Sequence, residues 1–315
     1  LLLPPLRAGL GARSYRVREA SAELLGELLG ALTGREPLEV LEEGDEPDAD
    51  SPLALVPTRT QHAVLAALYI ARSDASLAVR QTATTVWKAM VANTPRTLRL
   101  VLRELMTQMI DGLSGGDDDR RTCAARALGE LVGKLGERVF PTLIPMLAGG
   151  LDAPDEGHRR GVCLGLAQLM GAASKDQVLS FLDGLIGAVR SGLCDDAPAV
   201  AEAAALAFAT LQRLIGPQAV AEIVPAMLQL LRSDDAAEVI AGQRGLREVV
   251  AQRPNAVVPY LLPRLCAPPL TLASARAVGA VAAVAGEVLH FHVDTVIPAL
   301  LAETYVEAEL VPDGR

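Results

Sequence analysis

A two-helix unit recurs along this 315-residue chain at a spacing near forty residues. The central apolar residues of the second helices are Leu25, Trp87, Leu128, Leu166, Phe208, Leu246 and Val278, separated by 62, 41, 38, 42, 38 and 32 positions. The first spacing becomes 39 once the 23 residues of Arg35–Pro57, which interrupt the pattern, are set aside. A unit this short cannot bury its own apolar face, so it must stack on its neighbours. The period therefore predicts an all-α fold, an α-solenoid of about seven helix pairs with a final helix from Asp294 to Glu307 that lacks its partner.

The clearest unit runs from Arg72 to Arg99. Val79, Ala83, Val86, Trp87 and Met90 fall at i, i+4, i+7, i+8 and i+11, which lines one side of a helix. Asp74 and Ser76 stand where short polar side chains satisfy first-turn N–H groups, and Thr94-Pro95 ends the unit because the residue before proline leaves α geometry. In the first pair, Val17, Leu24, Leu25, Leu28 and Leu32 are expected to line the second helix. First helices carry a marker of their own, an apolar pair followed by proline, at Leu2-Leu3-Pro4, Leu143-Ile144-Pro145, Ile223-Val224-Pro225, Val257-Val258-Pro259 and Val296-Ile297-Pro298. A proline that starts or kinks the first helix of each pair points to HEAT-type repeats rather than armadillo or tetratricopeptide units. The whole chain reads as a single HEAT segment of a longer array, with Arg35–Pro57 as a Pro-rich, acidic inserted loop.

Aromatic residues make up only 3% of the chain while half of it is hydrophobic, which favours many thin helix contacts over one thick core. The net charge of −9 is unevenly spread. Between Arg35 and Pro57 eight acids face one base, a balance of −7 that leaves −2 for everything else. A near-neutral remainder with few aromatics disfavours direct RNA binding, which draws on basic charge and stacking. The longest apolar run, Ala277–Gly286, is too short to cross a bilayer, which needs about 20 residues. No membrane contact is expected, and the opening LLLPPLRAGL reads as a stretch excised from something longer.

No cofactor is expected. Cys123, Cys163, Cys194 and Cys266 lie 40, 31 and 72 positions apart, far from the close pairs of metal or redox motifs, and read as buried thiols of a reducing compartment. His290 and His292 are two positions apart, which sets them on opposite sides of a helix and argues against a shared metal. Phosphate-binding glycine loops, nucleophile elbows and zinc-protease motifs do not occur, so the chain is not expected to be an enzyme. The charged positions that repeat are Arg18, Arg80, Arg121 and Arg159, at the start of successive second helices. Each is expected to pair with an acid-rich turn and so link repeats in a ladder, rather than form a stripe for a phosphate-bearing partner. Arg120 and Arg160 sit beside this ladder without an assigned acid. They are the candidate partner-contact residues.

Several strings carry more than pattern: RSD at Arg72–Asp74, VRQ at Val79–Gln81, VWK at Val86–Lys88 and NTPRTLR at Asn93–Arg99, then RTCAARALGELVGKLGE at Arg121–Glu137, GVCLGL at Gly161–Leu166 and LCDD at Leu193–Asp196. Together they resemble the HEAT array of the translational activators of the general amino-acid control pathway, with the likeness expected to weaken after Asp235. The resemblance implies a cytoplasmic, non-catalytic scaffold whose full-length parent contacts the ribosome and the kinase of initiation factor 2 alpha. It also implies that the kinase-binding segment lies beyond this stretch. The competing reading of the same fold is a generic HEAT adaptor for protein partners, of the transport or phosphatase type.

Overall fold

The computed structural model describes residues 2–33 and 57–309, so the expected acidic loop lies outside the described residues apart from Pro57. Helices account for the regular structure throughout, with no strand among the described residues. The chain divides into two compact units, Leu1–Phe140 and Pro141–Arg315.

The first unit holds α1 (Leu3–Leu10), α2 (Tyr15–Thr33), α3 (Thr58–Ala71), α4 (Leu77–Met90), α5 (Thr94–Ser114) and α6 (Asp118–Leu135), closed by a 3-10 turn at Gly136–Val139. Helices α1 and α2, α3 and α4, and α5 and α6 pair. Successive first helices α1, α3 and α5 then pack in a row, as do the second helices α2 and α4. Regular stacking would next place α6 on α4. Instead α4 packs with α2 and α3, while α6 packs with α5 and along α3.

The second unit follows the expected plan more closely. It contains α7 (Phe140–Gly150), which begins on the last residue of the first unit, then α8 (Glu156–Ala172), α9 (Lys175–Ser180), α10 (Leu182–Leu193), α11 (Pro198–Ile215), α12 (Pro217–Leu230), α13 (Ala236–Gln252), α14 (Pro254–Leu265), α15 (Leu272–Ala285), a 3-10 turn at Gly286–His292 and α16 (Val293–Glu309). Second helices α8, α11, α13 and α15 pack in sequence, and first helices α10, α12 and α14 do likewise. In the fifth repeat the first helix is split into α9 and α10 at Phe181, whose φ of −121° and ψ of 23° leave helical geometry. Seven pairs followed by α16, which packs on α14 and the 3-10 turn, match the expected count among the described residues.

All seven aligned residues are buried, from 0% exposed at Leu25, Leu128, Leu166, Phe208 and Leu246 to 3% at Val278. Burying a side chain of this size stabilises by roughly 1.5–3 kcal/mol, so the forty-residue period marks where the cores lie. The internal prolines Pro145, Pro225, Pro259 and Pro298 sit inside α7, α12, α14 and α16. Each faces solvent. The carbonyl that loses its donor there can therefore bond to water. Three second helices, α6, α11 and α15, end on Gly136, Gly216 and Gly286, with φ of 61°, 67° and 56°, a backbone region that a Cβ strains.

Two readings of apolar pattern need correction. On α2, Val17 and Leu24 are nearly half exposed, and the buried face is Arg18, Ser21, Ala22 and Leu25. Polar residues occupy part of that face, so apolar spacing selected the neighbouring stripe. The second concerns length: Pro198–Ile215 and Leu272–Ala302 are both long and apolar enough to cross a membrane, beyond the single run noted in the sequence. The first is α11, a core helix packed between α8 and α13. The second is broken by Gly286 and the 3-10 turn into α15 and α16.

Candidate functional site

The recurrent arginines share one local geometry. An arginine one turn into a second helix reaches back over the preceding turn, and its guanidinium meets carbonyls five and six residues earlier. Arg18 donates to Ala12 and Arg13 carbonyls, Arg80 to those of Asp74 and Ala75, and Arg159 to those of Ala153 and Pro154. Arg121 donates to the Gly115 carbonyl in the same way. The arginine thus satisfies acceptors that the turn leaves open.

What the rest of the guanidinium does differs from joint to joint. Arg18 makes a two-pronged pair with Asp74 of the next repeat, with Nε at 2.7 Å and Nη2 at 2.9 Å. Both side chains are about 5% exposed or less. Burial alone would lower the Arg18 pKa, yet the Asp74 carboxylate, with Asp119 beyond it, holds it above its ordinary value. Asp74 also accepts from the backbone N–H of Ser76, the residue that precedes α4, while neither Asp74 nor Ser76 makes the side-chain cap expected of the first turn; Asp74 is instead a buried counter-ion. Arg159 repeats the pairing with Asp195 at 2.8 and 3.0 Å and adds Asp196 at 3.0 Å. The hydrogen bond to Asp195 raises the Arg159 pKa against desolvation. Burial tends to raise the Asp195 pKa, but the Arg159 guanidinium and the Ala197 N–H outweigh it and hold the carboxyl below its ordinary value. A further arginine, Arg244, donates to the Asp195 and Asp196 carbonyls from the following second helix.

The ladder is therefore real at two joints and incomplete at the others. Arg80 holds only the carbonyls of its own turn, because α6, whose cap is Asp117, does not stack on α4. Arg121 pairs with Asp118 on its own helix at 3.0 Å, an i,i+3 contact across an exposed surface. Arg18 takes up part of what Arg80 lacks, lying 3.8 Å from Asp119 at the start of α6.

Arg120 and Arg160 belong to different units. The Arg120 side chain is exposed and carries no hydrogen bond or ion pair among the described residues. It borders a cavity of about 320 Å³ between α1, α3, α5 and α6, alongside Arg7, Arg18, Asp111 and Asp119, with Cys123 in the lining. Arg160 is half-buried on α8, likewise with no polar partner among the described residues.

None of the thiols offers a ready nucleophile. Burial, with the nearby Asp74 charge, pushes Cys123 up to about 12, and burial beside Asp195 does the same to Cys163. Cys123 donates its S–H to the Ile70 carbonyl at 3.1 Å. Cys194 is half-buried rather than buried. The recognisable motif around Asn93 proves to be mostly a joint: Asn93 caps α5 through the Arg96 N–H, Leu98 is fully buried, and the Trp87 Nε1 donates to the Thr94 hydroxyl at 3.0 Å. Trp87 is 2% exposed and meets Tyr69 edge-on at 5.3 Å, with the Arg72 guanidinium over both rings at 5.0 and 5.4 Å.

Comparison with known proteins agrees with this architecture. A human protein named stalled ribosome sensor GCN1 is 40% identical over 308 residues, covering 96% of this chain. The chain resembles the HEAT-repeat array of GCN1. The eIF-2-alpha kinase activators GCN1 of Dictyostelium discoideum and Saccharomyces cerevisiae are 33% and 34% identical over 100% and 96% of this chain. The chain spans only 11–12% of the length of these relatives. The family model described as stalled ribosome sensor GCN1-like HEAT repeats matches residues 257–313. That match lies beyond Asp235, where the sequence likeness was expected to fade. Among solved structures, the karyopherin Kap121p bound to the extreme C-terminus of the phosphatase Cdc14p is similar at 15% identity, covering 96% of this chain and 31% of its own, with a TM-score of 0.47.

Proposed function

We propose that residues 1–315 form one segment of a longer HEAT array and act as a non-catalytic scaffold within a cytoplasmic, ribosome-associated activator of the eIF-2-alpha kinase. The observation that carries this reading is the 40% identity to human GCN1 over 96% of the chain, at relatives' lengths that leave room for a much longer array. The structural roles of the residues that carry the sequence resemblance support it. The strings on which the resemblance rests, VWK and NTPRTLR, supply the Trp87–Thr94 contact and the Asn93 cap, which fix how one helix pair hands over to the next. Titratable groups are tied into joints: Arg18, Asp74, Arg159 and Asp195 serve each other. Arg120 and Arg160 are the residues we assign to partner contact, since neither has a structural counterpart among the described residues.

Co-sedimentation tests the reading directly. The full-length protein that carries this chain should run with polysomes, and its presence there should persist under amino-acid starvation. Absence from ribosomal fractions in both conditions would favour a HEAT adaptor that works elsewhere.

A further inference from the structure

The NTPRTLR string is only partly used by the joint it builds. Asn93, Thr94, Pro95 and Leu98 have structural work in capping, anchoring Trp87, starting α5 and filling the core. Arg96 and Arg99 have none. With Arg103 they fall at i, i+3 and i+7, so all three project from one side of α5 over about two turns. All three side chains are exposed, and no guanidinium of the three makes a hydrogen bond or ion pair among the described residues; only the backbone of Arg96 and Arg103 is engaged, with the Asn93 and Thr107 side chains. Leu100 stands within the row at 65% exposure.

This arrangement works against the helix that carries it. Like charges at Arg99 and Arg103 repel across one turn, and cations near the start of α5 oppose its macrodipole. Some helices offset the macrodipole, as α6 does with Asp118 and Asp119 in its first turn, α8 with Glu156 and α13 with Glu238, whereas others such as α3, α4 and α12 have no first-turn acid. The α5 first turn has no acid. Glu104, the acid nearest the row along the helix, is occupied: it accepts from Gln108 at 2.8 Å and faces Arg7 at 3.8 Å. A local rule broken without internal compensation is expected where an external partner supplies it.

We propose that the outer face of α5 is a docking surface for an acidic, amphipathic protein segment. Carboxylates at helical spacing meet Arg96, Arg99 and Arg103, and an apolar side chain covers Leu100. Charge complementarity selects an anion. The leucine inside the row and the absence of any aromatic residue along α5 select a peptide over a nucleic acid, for which stacking platforms are the usual complement. This inference stands apart from ribosome association and does not depend on it.

The test uses the full 315-residue chain and a fluorescent 15-residue peptide with glutamates at i, i+4 and i+7 and leucines between them, beside its glutamine counterpart and a 16-base-pair RNA duplex. The acidic peptide should bind, weaken as salt rises, and lose at least tenfold in affinity in Arg99→Glu and Arg103→Glu. Leu100→Ser should weaken it severalfold while leaving the salt dependence unchanged, because it removes an apolar contact and no charge. Circular dichroism melts of Arg99→Glu and Arg103→Glu should lie at or slightly above wild type, since each removes a like-charge pair, and Leu100→Ser should match wild type. Equal binding of the glutamine peptide would overturn the proposal. Tighter binding of the duplex with the same dependence on Arg99 and Arg103 would also overturn it and assign the face to RNA phosphates.

Discussion

The two units solve the same stacking problem differently. In the second, α8, α11, α13 and α15 pack in sequence, and the Arg159–Asp195 pair sits at the first of these contacts with Arg244 closing on the same turn from the far side. In the first, the row of second helices ends at α4, α6 lies along α3, and a cavity of about 320 Å³ opens between α1, α3, α5 and α6. Arginines at equivalent sequence positions accordingly have unequal partners. Arg159 finds two carboxylates and Arg80 none, although both reach the same two carbonyls of their own turn. The backbone half of the joint is set by the local turn, while the carboxylate half depends on which helix comes alongside.

The largest expected effect lies at the buried joint of the first unit. Arg18→Ala strands Asp74 in an environment that leaves it about 5% exposed, so unfolding free energy should fall by roughly 3–5 kcal/mol. The double variant Arg18→Met with Asp74→Leu should recover most of that loss, because no charge is then left buried. Urea denaturation of wild type, Arg18→Ala and the double variant checks this. A double variant as unstable as Arg18→Ala alone would mean that the carbonyl contacts, and not the ion pair, hold the joint.

The corresponding joint of the second unit should be weaker and pH-dependent. Asp195→Asn is expected to cost about 1–3 kcal/mol at neutral pH, as a hydrogen-bonded charge is lost. The Asp195 carboxyl is held below its ordinary value in the folded chain, so its contribution is present above the unfolded pKa of about 3.9 and disappears as pH falls through the lower folded value. The stability gap between wild type and Asp195→Asn should therefore be constant from pH 7 to 5 and close below about pH 4. A gap that does not narrow at all as pH falls below about 4 would show that shape rather than charge makes the joint.

Much of this was legible in the sequence, and the exceptions share a cause. The forty-residue period and the apolar-Pro marker place all seven core positions and the proline-bearing first helices, because both are local patterns that recur. The α2 face was misread because Arg18 belongs to the core. Its burial is licensed by Asp74, 56 residues away, and no spacing rule in α2 carries that information. Met90, expected in the core stripe, is half-buried near the end of α4. The failure of α6 to stack on α4 likewise depends on contacts between repeats. Charge averaged over the chain hid the α5 row, since its three arginines are offset in the total by acids elsewhere in the sequence.

The middle of the range is occupied by Arg80. Without a carboxylate it contributes only its two carbonyl contacts, so Arg80→Ala should cost about 1 kcal/mol, well below Arg18→Ala. If thermal melts instead place Arg80→Ala beside Arg18→Ala, α4 is held by an acid after all, and the contrast drawn between the units is wrong at its central point.

The smallest effects on stability should come from Arg120 and Arg160, and there the comparison turns from folding to function. Neither guanidinium has a polar partner among the described residues, so Arg120→Ser and Arg160→Ser should each change stability by no more than about 0.5 kcal/mol. Arg120 borders the irregular region of the first unit and Arg160 sits on the regular stack of the second, so the two variants ask separately whether each unit contributes a contact. Co-sedimentation of the full-length protein with ribosomes across a salt series reads the answer, since losing a contact charge should weaken association most at low ionic strength. Weakening by one variant alone would assign the contact to its unit. If both variants bind as wild type does at every salt concentration, the segment contributes spacing between contact sites that lie elsewhere in the array, and the partner-contact assignment of Arg120 and Arg160 fails.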